Sequence, residues 1–403
     1  MIHIPTAGTP LKAREVARAA LGIFEGDQPI EVFERQLQAF LGVPNLALVN
    51  SGTTACYILL ELFKSIRTRA EQTEIVLPAY TAPSLLLPIR AVGLTPVLVD
   101  IDPATFNIDL TKIQTVLSER TLAIMVVHMF GLPVDVPILL GSSLPSDIFI
   151  FEDAASSLGS ELDGQSTGTI APFGFYSLNR GKNISTLAGG IIVWRDQRYS
   201  ETIRNLIDKL PHLGRMEQAL LLLKITGLAL VLKPTIYTLL APVIQQFKYT
   251  NLHTHFDSFG YTGVQAALGA KLWQRAAQLT VQRVAIGKAL FNIFNRYRGL
   301  QLPTITTRQK VAFNQFPIVI DDLEQRQQFQ RGLLEHGIET TLLYEQPLHH
   351  IFPELTGRGD DPFPRATYLA QHLLLIPSHV QLRPALRETI RQVADRLLLR
   401  YDE

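Results

Sequence analysis

The chain has 403 residues and a mass of 45.0 kDa, with 47% hydrophobic and 18% charged residues. This composition is typical of a folded protein of two or three domains, or of one large α/β unit, and excludes an intrinsically disordered chain. A formal net charge of +1 gives no electrostatic reason to expect a nucleic-acid partner. Cys56 is the single cysteine, which excludes a Cys-ligated iron–sulfur cluster and a zinc site with several thiolates, and we predict no metal site.

The first half of the chain alternates strands and helices. Apolar residues at helical spacing predict a helix between Glu31 and Gly42, and Ser51 opens another helix. Buried strands are predicted at Leu46–Asn50, Ile75–Pro78, Pro96–Ile101, Leu122–His128, Ile148–Glu152, Gly174–Ser177 and Gly190–Trp194. Because segments of helix length separate most of these strands, we expect one mostly parallel, seven-stranded sheet between helices.

Residues 220–244 form the most apolar segment of the chain. Lys224, Lys233 and Pro234 interrupt it. The uncharged run Ile225–Leu232 has eight residues, whereas a membrane-spanning helix needs about 20. Two interpretations stay open: a core or dimer-interface helix, or a segment that lies on a bilayer with its lysines extended toward water. The N-terminus has no secretory signal pattern, so we expect a cytoplasmic protein, with or without peripheral contact to a membrane through residues 220–244.

The chain changes character near Phe256. The pattern predicts a helix of about 40 residues from Thr262, a strand at Phe316–Ile320, a helix ending at Gly337 and a final helix from Pro384. We therefore expect a large domain at 1–255, with an apolar helical insertion at about 215–247, and a smaller α+β domain at 256–403.

Three polar features of the first domain could bind one ligand. The turn Ser51-Gly52-Thr53-Thr54 follows a strand and opens a helix, where backbone N–H groups and the helix dipole favour a phosphate, although such turns are usually plain N-caps. Asp153 follows a buried strand, at the edge where open α/β sheets bind ligands; an aspartate there can also be a loop cap. Lys182 lies in a loop between two strands and could form a Schiff base with an aldehyde cofactor, although most lysines are surface residues.

The order of these motifs resembles the DegT/DnrJ family of pyridoxal-phosphate (PLP) enzymes, most of which are nucleotide-sugar aminotransferases of the aspartate-aminotransferase fold. The matching segments are Ser51–Ala55, Pro78–Thr81, Val99–Asp109, His128–Gly131, Glu152–Ala155, Ser177–Asn183 and Gly189–Gly190. The likeness continues in Gln265–Gly269, Gly337–Thr340, Tyr344, Pro347–His349 and Leu375–Pro377. The resemblance covers nearly the whole chain and implies a large PLP-binding domain followed by a smaller one.

The resemblance also implies roles for particular residues. Lys182 would form the Schiff base with PLP and carry the proton between the donor Cα and the cofactor C4′. Asp153 would pair with the pyridine nitrogen, and Ser177 with the turn at 51–54 would hold the phosphate. The candidate cofactor-binding residues are Ser51, Gly52, Thr53, Thr54, Tyr80, Asp153, Ser156, Ser177, Lys182 and Asn183, and the candidate substrate residues are His128, Tyr344 and His349. For the substrate residues, structural roles stay open.

Several positions depart from the family pattern. Ala82 stands where many relatives carry an aromatic residue that stacks on the pyridine ring, so Tyr80 or another residue would have to cover that face. Ser156 replaces the usual Gln. Ser258 and Gly260 stand where relatives carry an Asn and an Arg that reach into the neighbouring subunit's site. Binding of the donor carboxylate is therefore unexplained by the sequence.

The resemblance predicts a homodimeric aminotransferase that moves an amino group, with glutamate as the expected donor, to a nucleotide-linked keto sugar for amino-sugar and surface-polysaccharide biosynthesis. A PLP-dependent sugar dehydratase is the alternative enzyme, but the dehydratases considered replace the lysine with His, and Lys182 is present. A non-catalytic binding or regulatory protein docked at a membrane is the alternative outside enzymes. Sugar, nucleotide, aminated carbon and stereochemistry are not encoded in recognisable motifs.

Overall fold

The computed structural model describes residues 3–246, 252, 254–357 and 359–399. Its helices are α1 Ala13–Leu21, α2 Gln28–Leu41, α3 Gly52–Ile66, α4 Leu86–Ala91, α5 Ile113–Val116, α6 Val136–Leu140, α7 Ser200–Asp208, α8 Arg215–Val231, α9 Pro234–Gln246, α10 Gly263–Trp273, α11 Ala276–Phe294, α12 Leu323–Glu335, α13 Leu348–Ile351, α14 Pro364–His372 and α15 Pro384–Leu397. Short 3-10 helices cover Pro83–Leu85, Leu110–Lys112, Met129–Gly131, Gln197–Tyr199 and Pro353–Leu355.

The strands form a large sheet and three small ones. They are β1 Asn45–Val49, β2 Glu74–Pro78, β3 Thr95–Val99, β4 Ile101–Asp102, β5 Asn107–Ile108, β6 Thr121–Val127, β7 Phe149–Asp153, β8 Glu161–Leu162, β9 Gln165–Ser166, β10 Phe173–Ser177, β11 Gly190–Trp194, β12 Leu300–Gln301, β13 Gln309–Lys310, β14 Gln315–Ile320 and β15 Leu373–Pro377. The large sheet has the order β1-β11-β10-β7-β6-β2-β3. Only β11 runs against its neighbours in this sheet, which confirms the mostly parallel, seven-stranded sheet.

The register of this sheet brings the predicted polar features to one edge. Ser177, the last residue of β10, pairs with Gly190, which also pairs with Val49 at the end of β1. On the other side of β10, Asp153 at the end of β7 pairs with Phe175. Because β1, β10 and β7 run in the same direction, the residues that follow them meet at their common carboxyl edge.

Two sequence predictions about elements are wrong in detail. The predicted strand at 96–101 is divided into β3 and β4, which belong to different sheets. The predicted 40-residue helix from Thr262 is broken into α10 and α11. Arg275 lies at the break with φ −119° and ψ 8°, and its Nε lies 2.7 Å from Glu15 Oε1. The ion pair anchors this residue to α1, so a tertiary contact ends a helix that local spacing would continue.

The small sheet β12-β14-β15 lies in the C-terminal part of the chain. The predicted strand at 316–320 lies within β14, and the final helix begins at Pro384 as predicted. Helix α10 packs against both α1 and α2. The domain boundary between residues 255 and 256 stays a prediction.

Residues 215–246 form two helices, α8 and α9. Among the described residues, no single helix is long and apolar enough to cross a membrane. The segments Arg215–Val231 and Pro234–Ala241 meet at 89°. Only when taken together as a bent pair do they have the length and apolar composition that a membrane-spanning segment requires.

Candidate active site

A cavity of about 790 Å³ opens at the carboxyl edge of the large sheet. Its charged lining residues, among those that the structure describes, are Asp153, Arg180, Lys182 and Glu345. Of the other predicted site residues, Ser51, Gly52, Thr53, Ser177 and Tyr344 line it. The cavity therefore brings together the acid, the lysine and the hydroxyl turn, which lie far apart in the sequence.

The turn before α3 has the geometry of an anion-binding helix N-terminus. Ser51 is the N-cap with extended backbone (φ −158°), and its Oγ accepts a hydrogen bond of 3.0 Å from the Thr54 N–H. The first N–H groups of a helix have no partner within the helix, and the helix dipole makes this end attractive to anions. A Cβ added at Gly52 would lie 3.0 Å from Ser177 Cβ, so the turn and the Ser177 side chain form one narrow cradle.

Two adjacent threonines in this turn face different ways. Thr53 lines the cavity, whereas Thr54 is buried and its Oγ1 lies 2.9 Å from Ser51 Oγ. Thr54 is thus placed to hold the turn in shape rather than to contact a ligand.

Asp153 supplies a buried carboxylate next to the cavity. Its Oδ1 accepts a hydrogen bond of 2.8 Å from the Ala155 N–H, and no hydrogen bond to its Oδ2 is made by the described residues. Burial raises the pKa of this carboxyl, while the Ala155 bond and the nearby Lys182 charge act in the opposite direction. A cationic N–H group entering the cavity would stabilise the ionised form and meet a free acceptor.

Lys182 Nζ donates a hydrogen bond of 3.0 Å to Ser156 Oγ. Burial lowers the pKa of Lys182, and the negative charge of Asp153 partly offsets this effect. A lowered pKa increases the neutral fraction of the amine, which is the form that attacks a carbonyl and accepts a proton. Ser156 does not itself line the cavity, but it orients the amine that does.

The loop around Lys182 is tied to the protein on both sides. Thr9 Oγ1 donates to the carbonyl oxygens of Lys182 (3.2 Å) and Asn183 (2.8 Å). Asn183 Nδ2 donates to the carbonyl oxygens of Leu158 and Ala312, at 2.9 Å each. Gly181 has φ +81°, a conformation that suits glycine. Asn183 therefore fixes the loop, and its side chain does not line the cavity.

His128 lies outside the cavity in a buried network. Its Nδ1 accepts from the Val134 N–H at 3.0 Å, so its Nε2 carries the hydrogen and donates to Glu152 Oε2 at 2.7 Å. Glu152 also accepts from the backbone N–H groups of Gly168 and Ala171. These contacts are those of a structural histidine, which was one of the two roles left open by the sequence.

Tyr80 and His349 are also absent from the cavity lining. Tyr80 is fully buried, and its ring centroid lies 6.1 Å from that of Tyr344, which does line the cavity. His349 Nε2 lies 2.8 Å from Asp361 Oδ1. His349, His350 and Asp361 bring three atoms that could bind a metal ion within 4.8 Å of one another. The hydrogen bond between His349 and Asp361 is a sufficient reason for this arrangement without a metal. Stacking of Tyr80 on a cofactor ring stays a prediction.

Sequence reasoning missed several residues that line the cavity. Arg180 and Asn314 are the most notable, and the N-terminal residues Thr6 and Ala7 also line it. Arg180 is exposed, and its guanidinium forms no ion pair with the described residues. A signal for Arg180 was present, since it lies two positions before Lys182 in the same loop. No local signal marks the others, because folding alone brings distant segments to the cavity.

Comparison with known proteins identifies the family of the chain. The model of the DegT/DnrJ/EryC1/StrS aminotransferase family matches residues 12–398. An uncharacterized protein of Methanocaldococcus jannaschii is 25% identical over 359 residues, covering 87% of this chain and 85% of that protein. A UDP-N-acetyl-3-dehydro-alpha-D-glucosamine 3-aminotransferase of Acidithiobacillus ferrooxidans is 28% identical over 367 residues, covering 90% and 85%.

Solved structures agree on the fold. The sugar aminotransferase CalS13 of Micromonospora echinospora superimposes with a TM-score of 0.77 at 21% identity, covering 98% of this chain and 99% of that one. A similar protein of Streptococcus pneumoniae has been solved in its PLP and PMP forms.

The chain belongs to the DegT/DnrJ/EryC1/StrS aminotransferase family and is a PLP-dependent aminotransferase. The residues present fit this cofactor. A cradle at Gly52 and Ser177 suits a phosphate, Asp153 has a free carboxylate oxygen for a pyridine nitrogen, and Lys182 has a lowered pKa. Asp153 and Ser177 are buried and Lys182 is half-buried, which favours specific contacts over contacts with water.

Proposed function

We propose that this aminotransferase acts on a keto sugar carried by a nucleotide, with glutamate as the amino donor, and produces an amino sugar for a surface polysaccharide or a glycosylated metabolite. The observation that carries the proposal is the joint placement of Lys182 and Asp153 on one cavity that also contains an anion cradle. Family membership and the relative from Acidithiobacillus ferrooxidans support amination of a nucleotide sugar.

Each side chain of the site has a proposed task. The bound cofactor supplies an electron sink next to the donor Cα. Lys182, in its neutral form, accepts the proton from the donor Cα and delivers it to C4′ of the cofactor, and Ser156 keeps the amine oriented. Asp153 keeps the pyridine nitrogen protonated. The turn at 51–53 and Ser177 bind the phosphate, because they offer N–H and O–H donors at a helix N-terminus.

Arg180 is the proposed anion-binding residue for substrates. It is the only cation besides Lys182 among the described cavity-lining residues, and both substrates carry anionic groups, namely the donor carboxylates and the nucleotide phosphates. Guanidinium binds either group through paired hydrogen bonds. In the first half-reaction, Arg180→Gln should raise the KM for glutamate at least about tenfold if it binds a carboxylate. An effect confined to the KM of the sugar nucleotide would assign the phosphates.

Tyr344 is proposed to contact the substrate because it lines the cavity. Asn183 fixes the loop of Lys182 from outside the cavity lining, whereas the contacts of His128 and His349 are with Glu152 and Asp361. Homodimerisation, the domain division at residue 256 and a cytoplasmic location remain part of the same proposal and rest on the family resemblance and the sequence. A bilayer contact by residues 220–244 would place the enzyme at a membrane surface and would leave the reaction itself unchanged.

The dehydratase alternative is less well supported. A base that carries a proton between Cα and C4′ is needed for amination, and the lowered pKa of Lys182 and its hydrogen bond to Ser156 support that role. Recovery of the donor nitrogen in the sugar product would favour amination, whereas loss of a sugar hydroxyl without transfer of nitrogen would favour dehydration.

The decisive experiment is an absorbance titration of the purified protein with PLP, followed by glutamate. A lysine-linked cofactor should absorb near ~420 nm and shift to near ~330 nm when glutamate donates its amino group. Adding UDP-, GDP- and dTDP-linked keto sugars should then restore the first band for the true acceptor and identify its nucleotide.

Two variants complete the design. Lys182→Ala should form no ~420 nm band, while Lys209→Ala, at the exposed end of α7, should behave like the wild type. If the wild type forms no band, the cofactor assignment fails. If the band forms but no amino acid shifts it, the aminotransferase proposal fails while the cofactor site stands.

A further inference from the structure

Helix α8 is apolar on two opposite sides. One side faces the protein, where Ile225 is buried in a cluster with Ala19 of α1 and with Val264 and Leu268 of α10. The other side is a stripe at helical spacing formed by Met216, Leu220, Leu223, Gly227 and Leu230. Its leucines and methionine are 46–79% exposed. A helix that is apolar all round is normally covered on all sides, so the stripe is a surface without a partner in the isolated chain.

Other large apolar side chains are exposed on helices next to α8. Leu239 and Leu240 of α9 are 80% and 38% exposed, and Leu21 and Phe24, at the end of α1 and just after it, are 56% and 74% exposed. Helix α1 packs against α8. From Met216 to Leu230 the stripe alone is about 21 Å long at 1.5 Å per residue. Monomeric proteins rarely expose a continuous apolar stripe of this length to water.

The charge of the same segment has one sign. No Asp or Glu occurs from Gln218 to Phe256, although the chain has 36 acidic residues, whereas Lys224 and Lys233 are both exposed. Neither lysine forms an ion pair with the described residues. On α8, Lys224 follows Leu223 directly and lies beside the stripe. A segment with leucines toward the surface and lysines at its flank matches an anionic membrane interface.

A second copy of the chain fits this surface less well. A two-fold contact through the stripe would bring the lysines of both copies together. The one acid of α8, Glu217, already accepts a hydrogen bond of 2.6 Å from the Gly214 N–H at the start of the helix. A fluid bilayer requires neither shape complementarity nor acidic partners from the protein.

We propose that the stripe of α8, with the exposed leucines of α9, lies in the interface of an anionic lipid bilayer. The helix lies on the bilayer and does not cross it, because its other side packs on α1 and α10. Tyr237 and Glu339 hold α9 to the body of the protein through a hydrogen bond of 2.6 Å. The contact therefore brings the folded enzyme to the membrane surface.

Flotation of the PLP-loaded full chain with phosphatidylcholine vesicles, with and without phosphatidylglycerol, tests the proposal. We expect binding to the anionic vesicles, reduced by salt, and at least tenfold weaker binding for the double variant Leu220→Glu/Leu223→Glu. Lys224→Gln and Lys233→Gln should each weaken binding about fivefold. The matched control is the double variant Ile138→Glu/Leu140→Glu, which places the same two charges on residues of α6 that are 60% and 43% exposed and should leave binding unchanged.

Light scattering in solution separates the competing outcome. If the double variant floats as well as the wild type, or if the wild type does not bind either vesicle, the proposal is overturned. If the double variant loses an oligomer while wild-type flotation is absent, the stripe is an interface between copies. The PLP absorbance band reports that every variant is folded, so failure here leaves the proposed reaction untouched.

Discussion

Gly190→Ala should damage the anion cradle without touching any side chain that binds the ligand. Gly190 begins β11 beside the turn at Ser51, and a Cβ there would lie 2.1 Å from the Ser51 carbonyl oxygen and 3.0 Å from the Gly52 nitrogen. Both atoms belong to backbone, so no side-chain rotation relieves the contact. Because Cβ atoms do not approach oxygen that closely, the turn must move by about 1 Å.

The size of the effect follows from this displacement. The Ser51 carbonyl also accepts the Ala55 N–H at 3.0 Å, so its movement disturbs the first turn of α3. A misplacement of about 1 Å can cost about 100-fold in affinity or rate, and overpacking of this kind costs about 1–3 kcal/mol of unfolding free energy. PLP titration followed by absorbance measures the loss of cofactor affinity. Denaturant unfolding of the cofactor-free protein measures the loss of unfolding free energy.

Gly227→Ala is the matched control for the same chemical change. A Cβ at Gly227 meets no atom within 4 Å, and the residue lies inside α8. Alanine should stabilise this helix by about 0.5–1 kcal/mol, with PLP affinity unchanged. Unchanged PLP affinity in folded Gly190→Ala would refute the assignment of the turn at 51–53 as the phosphate site.

Three further predictions follow from buried charges. Asp153→Asn removes the carboxylate that would pair with the pyridine nitrogen, so the glutamate half-reaction should slow at least about 100-fold. An unchanged stopped-flow rate would contradict the role of Asp153. His379 donates to the Pro5 carbonyl at 2.7 Å, and burial lowers its pKa to about 4. In the unfolded chain this histidine has a pKa of 6.5, so the unfolded state takes up the proton first as the pH falls. The free energy of unfolding should therefore decrease between pH 6.5 and about pH 4. Urea titrations should show that His379→Gln removes up to about 3 kcal/mol of this pH dependence. His128→Asn should cost about 1–3 kcal/mol of stability and leave kcat unchanged at low temperature, whereas a specific loss of kcat would restore a catalytic role.

Much of this protein is determined by local sequence. Apolar runs predicted all seven strands of the large sheet to within about two residues. The turn at Ser51, Asp153 and the loop of Lys182 each follow a strand or connect two strands, and this placement depends only on where strands end. The resemblance to the family, carried by the order of the motifs, is confirmed by the family match over residues 12–398.

The choice among candidate residues was decided by tertiary structure. Sequence does not distinguish Thr53, which lines the cavity, from Thr54, which holds the turn, because the phase of α3 against Ser51 sets the direction of each side chain. In the same way, Glu152 satisfies His128 and keeps it away from the cavity. Arg180 reaches the cavity because the glycine beside it has φ +81° and bends the loop.

Contacts between residues far apart in the sequence decided the rest. Glu15 binds Arg275, which lies 260 residues further along the chain. This contact lies at the break between α10 and α11, although the spacing of apolar residues predicts one continuous helix there. Thr9 holds the backbone at Lys182 across 173 residues, although nothing near Thr9 predicts a site. Sequence periodicity indicates which side of a segment faces water and which side faces the core. The contacts between distant residues depend on which segments pack against each other, and this packing is determined only in the folded chain.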